Sequence, residues 1–417
     1  KSESLGHNYV SVELKSAGNN PFAIGAEVKV ITPEKKYRQL LSTSRGFQSG
    51  TSTNLIFGLG KVDKIDAIQV RWPDGTFEQF EGLSINQKHL LIKGGGKEFI
   101  PEGRISEAAN SDFSISWYHQ EKNELDETKR EYLIPRSFAA EGPASASADI
   151  NGDGLTDIFL GGAKDQAGAF FLQKEDGGFE PIESKSFSQL AKAEDVVAAF
   201  EDFNGDGYLD LYVGSGGNEY EADNLFLFDR ILYGNGKGNF AFFPNALPPI
   251  GQNTSSLAIH DVNGDGFPDI FVGASVLTGD YGASPYSYLL INNGRGQFRD
   301  QTQEWFGAGK DLGMIQDATW SDLDGDGAKD LILSGDWQAI RVFKNKGNKL
   351  DEIFSGGLEK STGWVNEIMV EDINGDGLKD ILVGNLGLNS KLKASHEKPV
   401  VFYHHDFDGN GQADPLI

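Results

Sequence analysis

The chain has 417 residues, 62 of them acidic and 37 basic, with no cysteine. A net charge of −25 argues against nucleic acid and anionic membrane surfaces as partners, and the missing thiols exclude disulfide frameworks and thiolate metal sites. Apolar residues at 38% and aromatic ones at 11% can still build a packed core, and no apolar run reaches the roughly 18 residues of a membrane span.

The first segment, 1–93, alternates strand signals ("NYVSVEL", "AEVKVIT", "AIQVRW", "KHLLIK") with turns at "AGNN", "TPEK" and "PDGT". This pattern predicts a small β-sandwich-like domain. Its "FGLG" reads as a tight inter-strand turn, because no lysine–hydroxyl pair stands at the spacing of a phosphate loop. Residues 94–134 read as a connecting segment, with "EKNELDETKREY" one of two short stretches able to form helix; the other is "FSQLAKAED".

From 135 to 417 one string recurs: "DINGDGLTD" (149–157), "DFNGDGYLD" (202–210), "DVNGDGFPD" (261–269), "DLDGDGAKD" (322–330), "DINGDGLKD" (372–380) and "DFDGNGQAD" (406–414). The first five start 53, 59, 61 and 50 residues apart. Each follows a short alternating or apolar run and precedes a β-rich one such as "DLYVGS", with further strand signals beyond. Four short antiparallel strands per repeat, set radially, make a β-propeller. The fold class is therefore all-β: a sandwich-like domain, then a propeller of four-stranded blades, its ring closed or incomplete. Only 13 residues part "DILVGN" from "PVVFYHH", so the last string is expected in the 3–4 hairpin of the fifth blade, with all six loops on one rim. The abrupt start at Lys1 and stop at Ile417 suggest an excerpt of something longer, cut off within the propeller.

Oxygen-bearing side chains at loop positions 1, 3, 5 and 9, a carbonyl at 7 and glycine at 6 form the spacing that hard cations with six to eight oxygen ligands favour. Calcium fits better than magnesium, which takes fewer protein ligands in stricter geometry. The expected side-chain ligands are Asp149, Asn151, Asp153 and Asp157; Asp202, Asn204, Asp206 and Asp210; Asp261, Asn263, Asp265 and Asp269; Asp322, Asp324, Asp326 and Asp330; Asp372, Asn374, Asp376 and Asp380; and Asp406, Asp408, Asn410 and Asp414. The position-7 carbonyls are those of Leu155, Tyr208, Phe267, Ala328, Leu378 and Gln412. Position 12, glutamate in an EF-hand, is Leu160, Val213, Val272, Leu333 or Val383 in the first five copies, so Asp at position 9 takes over. The six loops hold nineteen aspartates, and five to six calcium ions would relieve a repulsion of several kcal/mol within about 5 Å at each cluster.

On the rim opposite these loops the connections carry aromatic residues: Tyr220, Tyr281, Tyr286, Trp337 and Trp364. They are the candidate ligand-binding set, with wedging of the two tryptophans between blades as the alternative. The seven histidines are scattered, His404 and His405 would point to opposite faces of a strand, and no HExxH string appears.

The stretch "IGAEVKV … RGFQSGTSTNLIFGLG … VRWPDG … NQKHLLIK" resembles the UnbV/ASPIC domain, over about residues 8–93. The Asp-rich repeats resemble FG-GAP/VCBS units, the integrin-α-type repeat with calcium loops. The combination is similar to cartilage acidic protein-like and large Bacteroidetes surface proteins. The resemblance implies a seven-bladed ring, of which five full loops are visible. It also implies an extracellular or bacterial cell-surface role in adhesion or recognition. The residues themselves favour a non-catalytic module for a glycan or protein ligand, without membrane insertion in this stretch. The alternatives are a calcium-dependent polysaccharide lyase-like enzyme and a structural spacer for domains elsewhere.

Overall fold

A computed structural model describes residues 7–99 and 115–417, except 19, 34, 43–52, 116, 122–124, 183–184, 310, 354–355, 388, 396 and 412. The chain forms two compact units, Lys1–Asn110 and Ser111–Ile417.

In the first unit, β1 (Asn8–Lys15) pairs antiparallel with β4 (Asn54–Gly60) and parallel with β7 (Lys88–Ile92). The second sheet takes the order β3 (Lys36–Leu40), β2 (Glu27–Ile31), β5 (Ala67–Arg71), β6 (Phe77–Phe80) and β8 (Lys97–Glu98). Alternation decides which face is buried. Val10, Val12, Leu55, Phe57 and Leu59 from one sheet meet Val28, Val30, Ile68 and Val70 from the other in a single core. "FGLG" is therefore strand and not turn. Phe57 and Leu59 face inward, Gly58 lies opposite Tyr9, and only Gly60 has a positive φ, at the strand's end. "WPDG" does turn, with the Gly75 amide donating to the Trp72 carbonyl at 2.9 Å.

The second unit is a succession of antiparallel sheets. The first holds β9 (Ser145–Ala148), β10 (Asp157–Leu160), β11 (Ala169–Gln173) and β12 (Phe179–Ile182). After a short helix α1 (Lys185–Leu190) comes the second, with β13 (Glu194–Glu201), β14 (Asp210–Gly216), β15 (Arg230–Gly234) and β16 (Phe240–Phe242). The third holds β17 (Thr254–His260), β18 (Asp269–Ala274), β19 (Tyr288–Asn292) and β20 (Phe298–Asp300), followed by α2 (Thr302–Phe306). The fourth holds β21 (Met314–Ser321), β22 (Asp330–Gln338), β23 (Arg341–Asn345) and β24 (Leu350–Ile353). The hairpin β25 (Gly363–Glu371) with β26 (Asp380–Asn385) joins β22 at Asp336–Trp364.

The first strands β9, β13, β17, β21 and β25 lie side by side in chain order, the inner row of a β-propeller. Apolar side chains seal each sheet to the next. Phe170 stacks on Phe240 across the first and second sheets, at 4.5 Å between centroids, and Ile231, Tyr212 and Tyr288 join the second to the third. Each such fully buried ring contributes roughly 2–3 kcal/mol.

Two expectations change here. The last hairpin, β27 (Tyr403–His405) with β28 (Asp414–Leu416), pairs with itself alone among the described residues instead of extending the fifth sheet. Aromatic contacts hold it elsewhere: Phe402 stacks on Trp337 at 4.9 Å and His404 Nε2 lies 2.7 Å from Asp280 Oδ1. Secondly, the segment 94–134 is engaged at both ends. Its start supplies β8, and near its far end a single 3₁₀ turn (Glu127–Lys129) is bound into the propeller. There Glu127 accepts from Ser137 Oγ, the Phe138 amide and Asn218 Nδ2, while Glu131 accepts from Asn218 Nδ2 and the Gly279 amide. Arg136 reaches Asp336 at 3.2 Å, so this strap touches the second, third and fourth repeats.

Candidate metal centres

Six hairpins close in one register. The residue before each Asp-rich loop pairs with the aspartate at position 9: Ala148–Asp157, Glu201–Asp210, His260–Asp269, Ser321–Asp330, Glu371–Asp380 and His405–Asp414. Between these ends the loop folds over its own first aspartate. In the second loop Asp202 accepts the amides of Gly205 (2.8 Å), Asp206 (3.2 Å) and Gly207 (2.9 Å). Gly207 has φ +85°, a left-handed conformation that a side chain would strain. Asn204 accepts from the Asp206 amide and Asp206 from the Tyr208 amide, both at 2.9 Å. Asp149, Asp261, Asp372 and Asp406 are held by the same three amides in their own loops. For Asp372 and Asp406 these bonds, that of Gly377 or Gly411 foremost, keep the carboxyl below its ordinary pKa.

Position 9 ties the loop to the sheet. Asp210 is fully buried and accepts the amides of Phe203 (3.1 Å) and, from the third strand, Gly234 (2.9 Å). Asp157, Asp269 and Asp330 reach Gln173, Asn292 and Asn345 in the same way. Burial first, then the charges of Asp206 and Asp202, push the pKa of Asp210 up to about 7 against its two amide bonds; Asp269 behaves alike. A carboxylate has about four lone-pair directions, so these amides leave oxygens free for a cation. In the fourth and sixth loops three carboxylates each, Asp322, Asp324 and Asp326, and Asp406, Asp408 and Asp414, bring oxygens within 4.8 Å of one another. Elsewhere asparagine stands at position 3. Gln412 lies outside the described residues.

Successive loops are also linked. Asn292 Nδ2 donates to the Phe203 carbonyl of the second loop at 2.8 Å, while the Asn292 amide holds Asp269 of the third. Asn345 repeats this one sheet along, from the Val262 carbonyl to Asp330. In the second sheet the corresponding residue is Gly234, which has no side chain to reach back.

The sixth loop departs from the one-rim arrangement. Asn410, Gly411 and Asp414 line a cavity of about 570 Å³ with Gly279, Asp280, Arg130 and Tyr132. Gly279 and Asp280 follow β18, on the end away from the third metal loop, so the sixth loop sits at the opposite rim.

The five candidate ligand-binding aromatics do not form one group. Trp337 Nε1 donates to the Tyr281 hydroxyl at 2.8 Å, and the Trp337 and Trp364 rings meet edge-on at 5.2 Å. Tyr281 is buried, and both tryptophans line a cavity of about 290 Å³ with Thr362, Asn385 and Ser390. Tyr286 bonds Asp300 instead, and Tyr220 bonds the Lys192 carbonyl beneath the Lys164 ammonium. His404 and His405 have separate partners, Asp280 and the ring of Phe407.

One acidic group escapes sequence reading because its neighbours come from four chain segments. Glu194, the first residue of β13, is fully buried and neither carboxylate oxygen has a hydrogen-bond partner. Burial, followed by the charges of Glu121, Glu219, Glu141 and Asp195, pushes its pKa up to about 9. The nearby cations are engaged already, Lys164 with Glu219 and Arg230 with Asp195. Between pH 4.5 and 9 the folded protein keeps this proton and the unfolded chain releases it, so the group costs stability increasingly as pH rises. Glu194→Gln should therefore raise the melting temperature at pH 9 and change it little at pH 5. An equal shift at both values would refute this.

Comparison with known proteins agrees with the domain order. Residues 16–98 match the ASPIC and UnbV family, and 149–213, 202–272 and 322–383 match the FG-GAP-like repeat. Phosphatidylinositol-glycan-specific phospholipase D of Mus musculus is 37% identical over 152 residues, covering 33% of this chain and 18% of that protein. Integrin alpha-V of Gallus gallus is 28% identical over 157 residues, covering 32% and 14%. The chain thus spans less than a fifth of either relative. Among solved structures, a rhamnogalacturonan lyase of Bacillus licheniformis aligns at a TM-score of 0.34 with 11% identity, over 92% of this chain and 74% of that one. This chain is an ASPIC and UnbV domain followed by FG-GAP-like repeats that build an integrin-like β-propeller.

Proposed function

We propose that the chain is a non-catalytic, calcium-binding module of an extracellular or cell-surface protein, built to recognise a glycan or protein ligand. The observation that carries this reading is the sixfold recurrence of one hairpin register with a position-9 aspartate. In the first four loops that aspartate is buried beside further carboxylates. Asp202, Asn204, Asp206, the Tyr208 carbonyl and Asp210, with their counterparts in the other loops, would hold the ions. The metal's contribution is charge neutralisation and crosslinking of each loop. Likeness to integrin alpha-V and the aromatic connections support recognition as the role.

The cavity beside Trp337 and Trp364 is the proposed ligand site, since aromatic faces suit sugar rings and protein anchors alike. The test is a glycan and protein array probed with calcium and again with EGTA. The expected result is calcium-dependent capture, lost in Trp364→Ala at an unchanged melting temperature. Capture by neither array, or release of unsaturated sugar product from an acidic polysaccharide, would overturn the reading.

A further inference from the structure

The fourth loop differs from its neighbours in two linked ways. Position 3 is Asp324, where the first, second, third and fifth loops have asparagine. Lys344, on β23 beneath the loop, places its ammonium against Asp324 Oδ2 and 2.8 Å from Asp326 Oδ2. Its side chain is only 16% exposed, whereas Asp324 and Asp326 are 46% and 42% exposed, so the ammonium is tucked beneath two carboxylates that stay open to solvent. Lys344 precedes Asn345, whose amide holds Asp330. The residues in that place in the first three sheets, before Gln173, Gly234 and Asn292, are Leu172, Tyr233 and Ile291, all uncharged. The extra carboxylate and the extra ammonium thus occur together. Counting only loop positions 1, 3, 5 and 9, Lys344 brings the fourth loop from −4 to −3, the charge that three aspartates give each of the others.

We infer that Lys344 is a built-in counter-ion of the fourth loop, competing with the metal for Asp324 and Asp326 and holding the loop in shape when no metal is bound. The competition half of this rests on the calcium reading above. The ammonium fills part of the charge demand that an ion meets in the other loops, so this site binds calcium most weakly and survives its loss best. Substitution of the lysine leaves four close carboxylates with their amide donors but without this ammonium, so that a divalent ion must supply the missing positive charge.

The test compares wild type, Lys344→Met, and the double variant Lys344→Met/Asp324→Asn, which gives the fourth loop the side-chain ligands of the first, second, third and fifth. Calcium titration calorimetry should show the weakest wild-type site tightening by tenfold or more in Lys344→Met. Thermal melting in EGTA should show Lys344→Met falling below wild type by several degrees, with the double variant recovering most of the loss. An unchanged isotherm, or a site lost in Lys344→Met, overturns the competition. An unchanged melting temperature in EGTA overturns the counter-ion role. If wild type binds no calcium, the calcium reading and the competition fail together, and the melting comparison alone decides the counter-ion role.

Discussion

Chelation with EGTA should lower the melting temperature of the second unit by about 10 °C or more, and added calcium should restore it. Each ion that binds only the folded state stabilises it by about 2.7 kcal/mol at a hundredfold excess over Kd. In a unit of this size 1 kcal/mol moves the midpoint by roughly 1.5 °C, so about three tight sites suffice. The physical source is plain in the second loop. Burial first, then the charges of Asp206 and Asp202, raise the pKa of Asp210, and no cation stands among its hydrogen-bond partners. Asp206→Ala should remove one ion from the stoichiometry and about 2 kcal/mol of calcium-dependent stability. Glu175→Ala, on a surface turn, should do neither. Unchanged melting after verified removal of metal would dismiss the loops as simple hairpin turns.

The second large effect concerns a carboxylate outside the loops. Asp229 is buried and accepts hydrogen bonds from Tyr212 (2.6 Å), Tyr288 (2.7 Å), the Thr254 hydroxyl (3.0 Å) and the Ser215 amide (2.8 Å). Burial raises its pKa, and the four donors work against that rise. They come from both the second and third sheets, so one side chain fastens two blades. Asp229→Ala removes the acceptor that these four donors share in a buried interface. Each unsatisfied group costs about 1–3 kcal/mol, so the loss should be about 4 kcal/mol or more. Urea unfolding should show it, with Asp229→Asn losing less because one oxygen survives. A loss under about 1 kcal/mol for Asp229→Ala would mean that water replaces the carboxylate.

Local chemistry was legible in the sequence and long-range placement was not. The Asp–Gly loops carry their geometry in nine residues, since Gly205 and Gly207 set the turn and the aspartates are fixed by amides of the same loop. Alternation revealed the strands, yet "FGLG" misled because glycine suggests a turn even where Phe57 and Leu59 keep a strand's period. The sixth loop has the local signature and a different setting, because Phe402 finds Trp337 from far along the chain. Tyr220 and Tyr286 part from Tyr281 for the same reason: pairing of distant side chains has no local pattern. Lys344 carried no signal in the sequence, and its place emerged only when the fold brought β23 beneath the fourth loop.

Asn292 and Asn345 each bind their own sheet's loop aspartate and the loop carbonyl of the sheet before. Although the sequence looks like interchangeable cassettes, the second, third and fourth repeats are not separable parts. A cassette moved to another position would bring an asparagine aimed at a carbonyl that its new neighbour must supply at the same height. Excision of the third would strip the second of its support and leave the Asn345 amide group without its acceptor. The boundary between the first and second repeats, where Gly234 replaces the asparagine, is the natural seam for recombination or domain grafting.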